Sequence, residues 1–214
     1  MARLPKGILG PFIGKVGPIV GATWNGIPYI RSKPKKRRKK KATRSAAQIA
    51  NEAKFKFTNH WMIPFHPYIM VGFGNFPADK PPISMAFAVN FREAVIGSFP
   101  EFDIDYAKVV LSTGSLPGLT EPVISFSASD TIELRWEQSM EQHVSYNDQL
   151  ILVLFSRNLL MTDGFVGGVK RASGKFSFQF DSRMIAEELD AYVFVTSLDR
   201  SRISNSVYLG RITP

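Results

Sequence analysis

The chain contains no cysteine. That excludes disulfides, thiolate metal sites and cysteine nucleophiles, while leaving the compartment open. Histidine is scarce: only His60, His66 and His143. A zinc site needs three or four donors, and no third ligand is spaced to join His60 and His66, so the pair reads as coincidence. No stretch approaches the ~18 consecutive apolar residues of a membrane helix. The N-terminal apolar run is broken by glycine and proline and its charge follows it, so no secretory signal is visible. The expected location is the cytoplasm, or a virion-like or extracellular assembly reached by lysis or a specialised route. Motifs of catalysis are missing as well. There is no phosphate-binding Gly-Lys-Ser/Thr loop and no nucleophile elbow. Gly167-Gly168-Val169-Lys170 lacks the phosphate-loop spacing and reads as a hairpin. Asp103 and Asp105 alternate in an expected strand, where sheet-edge or turn hydrogen bonds explain them better than paired acid–base work. Glu187, Glu188 and Asp190 read as a solvated face. The expectation is a protein that is not an enzyme and holds no cofactor or metal.

The most informative absence is of acid. Residues 1–45 contain 13 basic residues and no Asp or Glu, which leaves 14 basic residues against all 18 acidic ones in the remainder. A net charge of +9 therefore divides into a strongly basic arm and a body of about −4. Such asymmetry points to a polyanion: nucleic acid first, an anionic membrane surface second, an acidic protein third.

What is present begins with that arm. Glycines at 7, 10, 14, 17, 21 and 26 interrupt a run rich in Ile, Val, Phe and Trp. Together with Pro5, Pro11, Pro18 and Pro28 they forbid a helix. Extended pieces fit: Ile8-Leu9, Phe12-Ile13, Pro18–Trp24 and Pro28–Arg31, the last two joined at Asn25-Gly26 as a β-hairpin. Its apolar side chains, among them Ile8, Phe12, Val16, Ile19, Val20, Trp24 and Tyr29, need cover. They find it on their own body or by adding strands to another copy of the chain. Nine residues from Lys33 to Lys41 then carry eight cations. Arg31, Lys33, Lys35, Lys36, Arg37, Arg38, Lys39, Lys40, Lys41 and Arg44 are the candidate nucleic-acid contacts. No recognition helix or stacking platform precedes them, so the expected binding is non-specific and carried by the phosphate backbone. A solvated linker and a nuclear-import signal share this composition. Trp24 and Tyr29 either pack the hairpin or stack on bases.

Beyond the arm, Ser45 and Gln48 form a capping box for a helix over 45–63, with Ile49, Ala53, Phe57 and Trp61 on one stripe, and Pro64 ends it. Lys54 and Lys56 lie off the stripe. Residues 65–73 suggest a second short apolar turn. Residues 83–96 suit strand and helix equally, and Asp105–Ser112 reads as a strand. Seven short segments then follow: 123–127, 131–136, 149–156, 167–171, 175–180, 190–196 and 203–212. Their spacing predicts an immunoglobulin- or fibronectin-like β-sandwich with Trp136 in its core. The expected fold is thus mainly β: an arm over 1–45, a helix with a small α/β unit over 46–116, and a sandwich over 117–214.

One family resemblance runs nearly end to end. It is carried by Gly7-Ile8-Leu9-Gly10, Gly14-Lys15-Val16-Gly17, Gly21, Trp24, Gly26-Ile27 and Tyr29-Ile30-Arg31-Ser32 in the arm. It continues through Gln48, Asn51 and Lys54-Phe55, then Ile104-Asp105-Tyr106, Lys108-Val109, Ser112, Gly114 and Leu116-Pro117-Gly118, and ends at Ser204-Asn205-Ser206-Val207-Tyr208-Leu209-Gly210. In these the chain resembles an uncharacterised domain-of-unknown-function family widespread in Bacteroidota, although Lys35–Lys41 is denser than that pattern. The resemblance implies an architecture in which the glycine arm is integral, and no mechanism. Two functional classes fit the sequence. One is a self-associating coat or nucleoprotein-filament-like subunit that binds DNA or RNA. The other is a β-sandwich interaction module at a cell or anionic surface.

Overall fold

Extended, glycine-punctuated sequence makes the arm a small antiparallel meander. The computed structural model of the protein describes residues 2–24, 26–34, 44–77, 80–138 and 144–213. Strands β1 (Gly14–Val16), β2 (Ile19–Trp24) and β3 (Ile27–Ser32) lie in that order in one sheet. The β2–β3 register runs from Trp24 opposite Ile27 to Ile19 opposite Ser32, which is the hairpin expected at Asn25-Gly26. Gly26 adopts φ +81°, a left-handed conformation that a tight hairpin turn demands. Ile8 and Leu9, expected to be extended, lie in a turn instead and are 90% and 100% exposed. Residues 1–44 form one compact unit and residues 45–214 another.

The second unit opens on α1 (Ala46–Met62), and its first turn is built as the sequence predicts. The Ser45 hydroxyl accepts from the Gln48 N–H at 3.2 Å, and the Gln48 side chain accepts from the Ser45 N–H at 3.0 Å. Pro64 converts the chain to a 3-10 turn over Ile63–Phe65, followed by α2 (His66–Gly72). The ambiguous stretch resolves into α3 (Pro82–Glu93) and then a hairpin of β4 (Val95–Ser98) with β5 (Glu101–Ile104).

The remaining strands are β6 (Thr120–Ala128), β7 (Thr131–Glu137), β8 (Gln149–Ser156), β9 (Met161–Lys170), β10 (Lys175–Gln179), β11 (Leu189–Thr196) and β12 (Val207–Ile212). They form two antiparallel sheets, ordered β10-β7-β6 and β12-β11-β8-β9. Between them lies a core of Ile132, Leu134, Trp136, Leu150, Leu152, Leu154, Leu189 and Val193. Trp136 is buried as expected, and its indole N–H donates to the Arg171 carbonyl at 2.7 Å.

The four-stranded sheet is buried on both faces, which the sequence reading did not anticipate. Alternate residues Ile151, Val153, Phe155, Tyr192 and Phe194 join Trp61, Met62, Phe65, Ile69 and Phe73 in a second core. Phe65 lies 4.8 Å from Phe155 and 5.2 Å from Trp61, ring centre to ring centre. The helices thus form a third layer, and the boundary expected at 116/117 falls inside one compact unit. The uninterrupted run Leu150-Ile151-Leu152-Val153-Leu154-Phe155 is the physical trace of this arrangement, because a strand covered on both sides needs no polar alternation.

Two further expectations are corrected. Asp105–Ser112 is not a strand: a 3-10 turn over Tyr106–Lys108 leads into an extended segment. At Val110 and Leu111 side chains, not a neighbouring strand, meet the backbone. Asn90 donates to the Val110 carbonyl and accepts from the Val110 N–H, and the Ser206 hydroxyl accepts from the Leu111 N–H. Gly167 and Gly168 lie within β9, not at a hairpin turn. The pairing of β9 with β8 shifts register there, so the glycines mark a bulge.

Candidate nucleic-acid interface

In the arm sheet, opposed residues share a face, so the register sorts its side chains into two sets. One face carries Val16, Ile19, Gly21, Thr23, Pro28 and Ile30. The N-terminal segment crosses it. Arg3 and Ile13 exchange backbone hydrogen bonds of 2.8 and 2.9 Å, and Phe12 sits on Gly21, where a Cβ would come within 2.1 Å of the Phe12 carbonyl oxygen. Glycine is required there by close backbone approach.

The opposite face carries Lys15, Val20, Ala22, Trp24, Ile27, Tyr29 and Arg31. Trp24, Ile27 and Tyr29 line a shallow apolar depression. Trp24 is 55% exposed, whereas Trp61 and Trp136 are each 6% exposed. Lys15 and Arg31 flank Val20 across the three strands, at the other end of the same face.

Strand β3 is an edge of its sheet. The Lys33 N–H donates to the Pro18 carbonyl at 2.7 Å, which sets the phase of the ladder. Tyr29 and Arg31 therefore turn their N–H groups toward β2, and Ile30 and Ser32 present theirs on the outer edge. Pro28, also on the outer side, has none.

Of the sequence-expected nucleic-acid contacts, Arg31, Lys33 and Arg44 are exposed. Lys35, Lys36, Arg37, Arg38, Lys39, Lys40 and Lys41 lie outside the described residues. Of the residues expected to support self-association, Phe12 is half-buried against Gly21 and Val20 is half-buried. Ile8, Val16, Ile19, Trp24 and Tyr29 are exposed. Lys54, off the apolar stripe of α1, stands over the Phe91 ring at 4.5 Å.

The structure also places the polar groups weighed for catalysis. His60 sits at the exposed end of α1, and His66 begins α2; His143 lies outside the described residues. Asp105 pairs with Lys108 at 2.9 Å, and that hydrogen bond holds its carboxyl below the usual range. Glu188 pairs with Arg211 at 2.6 Å. Asp190, expected on a solvated face, is fully buried. It meets the Arg157 guanidinium in two bonds of 2.5 and 2.8 Å and accepts from the Tyr208 hydroxyl at 2.7 Å. Arg157 also lies 3.7 Å from the Tyr106 ring centre. Burial, with the bond to Asp190, pushes the Tyr208 phenol up to about 12, while the Asp190 bond raises Arg157. The sequence offered one signal for this cluster: a lone acid opening an otherwise apolar strand, which must find a cation or stay uncharged.

Two of the segments that carried the family resemblance, around Ser112–Leu116 and Ser204-Asn205, meet in space. The Ser112 hydroxyl donates to the Ser204 carbonyl at 2.8 Å, and the Gly114 N–H donates to the Asn205 side chain at 3.1 Å. The Leu116 N–H donates to the Ile203 carbonyl at 3.0 Å. A Cβ on Gly114 would stand 2.0 Å from that same carbonyl oxygen. These residues form a seam between the connection into β6 and the connection into β12.

Among solved structures, the fibronectin type III domain of the human collagen alpha-1(XX) chain is similar over 45% of this chain and 86% of its own, at 13% identity and a TM-score of 0.34. The corresponding domain of human contactin 1 covers 48% of this chain and 72% of its own, at 10% identity and a TM-score of 0.29. No curated protein sequence matches the chain. The family profile does match, over residues 11–210 and so from the arm to the last strand, and the chain belongs to the family of unknown function DUF6266.

Proposed function

We propose that the protein is a non-enzymatic structural or assembly subunit. It self-associates through its N-terminal arm and binds nucleic acid non-specifically through its polybasic run, as a coat or nucleoprotein-filament component does. The observation that carries this reading is the segregation of charge: 13 cations and no acid in residues 1–45, against an acidic remainder. The arm's own fold supports it. An edge strand with open N–H groups at Ile30 and Ser32 suits strand addition by a second copy, with Ile8, Val16, Ile19 and Ile30 supplying apolar contact. The basic residues from Arg31 to Arg44 follow the same strand in sequence and supply the phosphate contacts.

The test has two parts. Random-sequence DNA and RNA should both shift in a gel at low salt and be released at high salt; no shift at low salt rejects the nucleic-acid reading. Deleting residues 1–30 should dissolve higher-order assembly of the full chain. Assemblies of unchanged size after the deletion reject the arm as their cause.

A further inference from the structure

We infer that the exposed face of the arm sheet is a stacking platform for single-stranded nucleic acid. This deepens the reading above and rests on it, since it names the form of the polyanion. Trp24 and Tyr29 occupy neighbouring rows of one sheet face and are both exposed, with Ile27 beside them. Two rows beyond Trp24, and one beyond Tyr29, the same face carries Lys15 and Arg31. At ~3.3 Å of rise per residue, the Trp24 row and the Arg31 row lie about 13 Å apart. A single strand can cross that span with bases against the aromatics and phosphates against the cations.

Charge complementarity selects this occupant. The face bears two cations and its unit bears no acid at all. A second copy of the chain would bring the same cations to a face-to-face contact and meet repulsion. A duplex would satisfy Lys15 and Arg31 but offers no unpaired base to the rings. Single strands use both halves of the surface, because every base has a π-face and stacking tolerates any sequence. The opposite face, crossed by the N-terminal segment, and the outer edge of β3 stay available for copies of the chain.

Trp24 makes the test direct, because the other two tryptophans are buried. The full-length protein is titrated with oligo(dT), oligo(U) and a random-sequence duplex, reading intrinsic fluorescence and, separately, affinity by anisotropy of labelled oligonucleotide. The single strands should quench the fluorescence; the duplex should bind with little quenching. Trp24→Ala with Tyr29→Ala should weaken single-strand binding about tenfold or more and change duplex binding less than twofold. Trp24→Phe should restore most of the single-strand affinity, which separates stacking from misfolding. Equal loss for single strand and duplex, or no loss for either, overturns the platform. A double variant that binds single strands normally but sediments as a smaller species also overturns it and assigns the face to contact between copies. If the unaltered protein binds neither form at low salt, the nucleic-acid reading itself fails and not merely its single-strand form.

Discussion

At the scale of single residues, the largest local effects belong to a buried acid and its cation. Asp190 is fully buried, whereas the Arg157 side chain keeps 34% of its surface exposed. Their removal should therefore be unequal. Arg157→Ala strands a buried carboxylate with only the Tyr208 hydroxyl and should cost about 3–5 kcal/mol in urea unfolding. Asp190→Asn leaves a cation that can turn to water and should cost less, about 1–2 kcal/mol. Equal costs would mean that Arg157 is as trapped as its partner. Exposed acids give a pH signature instead. Hydrogen bonds from Arg183 hold Asp181 at about 2, and those from Ser197 and Ser201 hold Asp199 at about 2. A carboxyl depressed in the folded state stabilises above its unfolded value near 3.9 and loses that contribution as pH falls toward its folded one. Carboxyl titration by NMR should place both midpoints near 2, and stability contributed by these turns should fade between about pH 4 and pH 2. Midpoints near 3.9 would dissolve both networks.

At the scale of elements, much was legible because local chemistry sufficed. The Ser45–Gln48 capping box, the proline that ends α1 and the Asn-Gly hairpin each need only a few neighbouring residues, and each is where the sequence placed it. Apolar clusters between turns marked all seven sandwich strands, but β9, expected over 167–171, begins at Met161, and β12, expected from 203, begins at Val207. What was hidden depends on partners distant in sequence. The segment after Tyr106 looks like a strand, yet its backbone is held by Asn90 and Ser206, the latter 95 residues from Leu111. The buried outer face of β8 was equally invisible to a reading that assumed a free-standing sandwich, although its unbroken apolar run was in plain view. The arm's two faces could not be separated before the register was known, so Phe12 and Trp24 stood together in one set although they serve opposite sides. Because α1 and α2 cover that sheet, Phe65→Ala should cost about 3–5 kcal/mol and lower cooperativity of the whole second unit. A transition that loses helix while the sandwich core persists would show instead that the layers unfold separately.

At the scale of the whole molecule, the division of charge and the division of fold coincide. Residues 1–44 form a compact unit that contains no acidic residue, and residues 45–214 form a three-layer unit with a mildly acidic balance. The second unit holds itself together through two cores and a hydrogen-bonded seam, and the arm carries exposed apolar groups on its own sheet. Deleting residues 1–30 should leave the melting temperature of the second unit unchanged within about 1–2 °C while abolishing assembly, since domains with separate cores unfold separately. A large drop would make the arm part of the body's core. The central claim, that the arm holds nucleic acid by its phosphates, is tested most directly by the salt dependence of binding. For the full-length protein and random-sequence DNA, log K against log salt concentration should fall with a slope of about −5 to −7, as six to eight released counterions require. No binding at low salt, or a slope near zero, would contradict it.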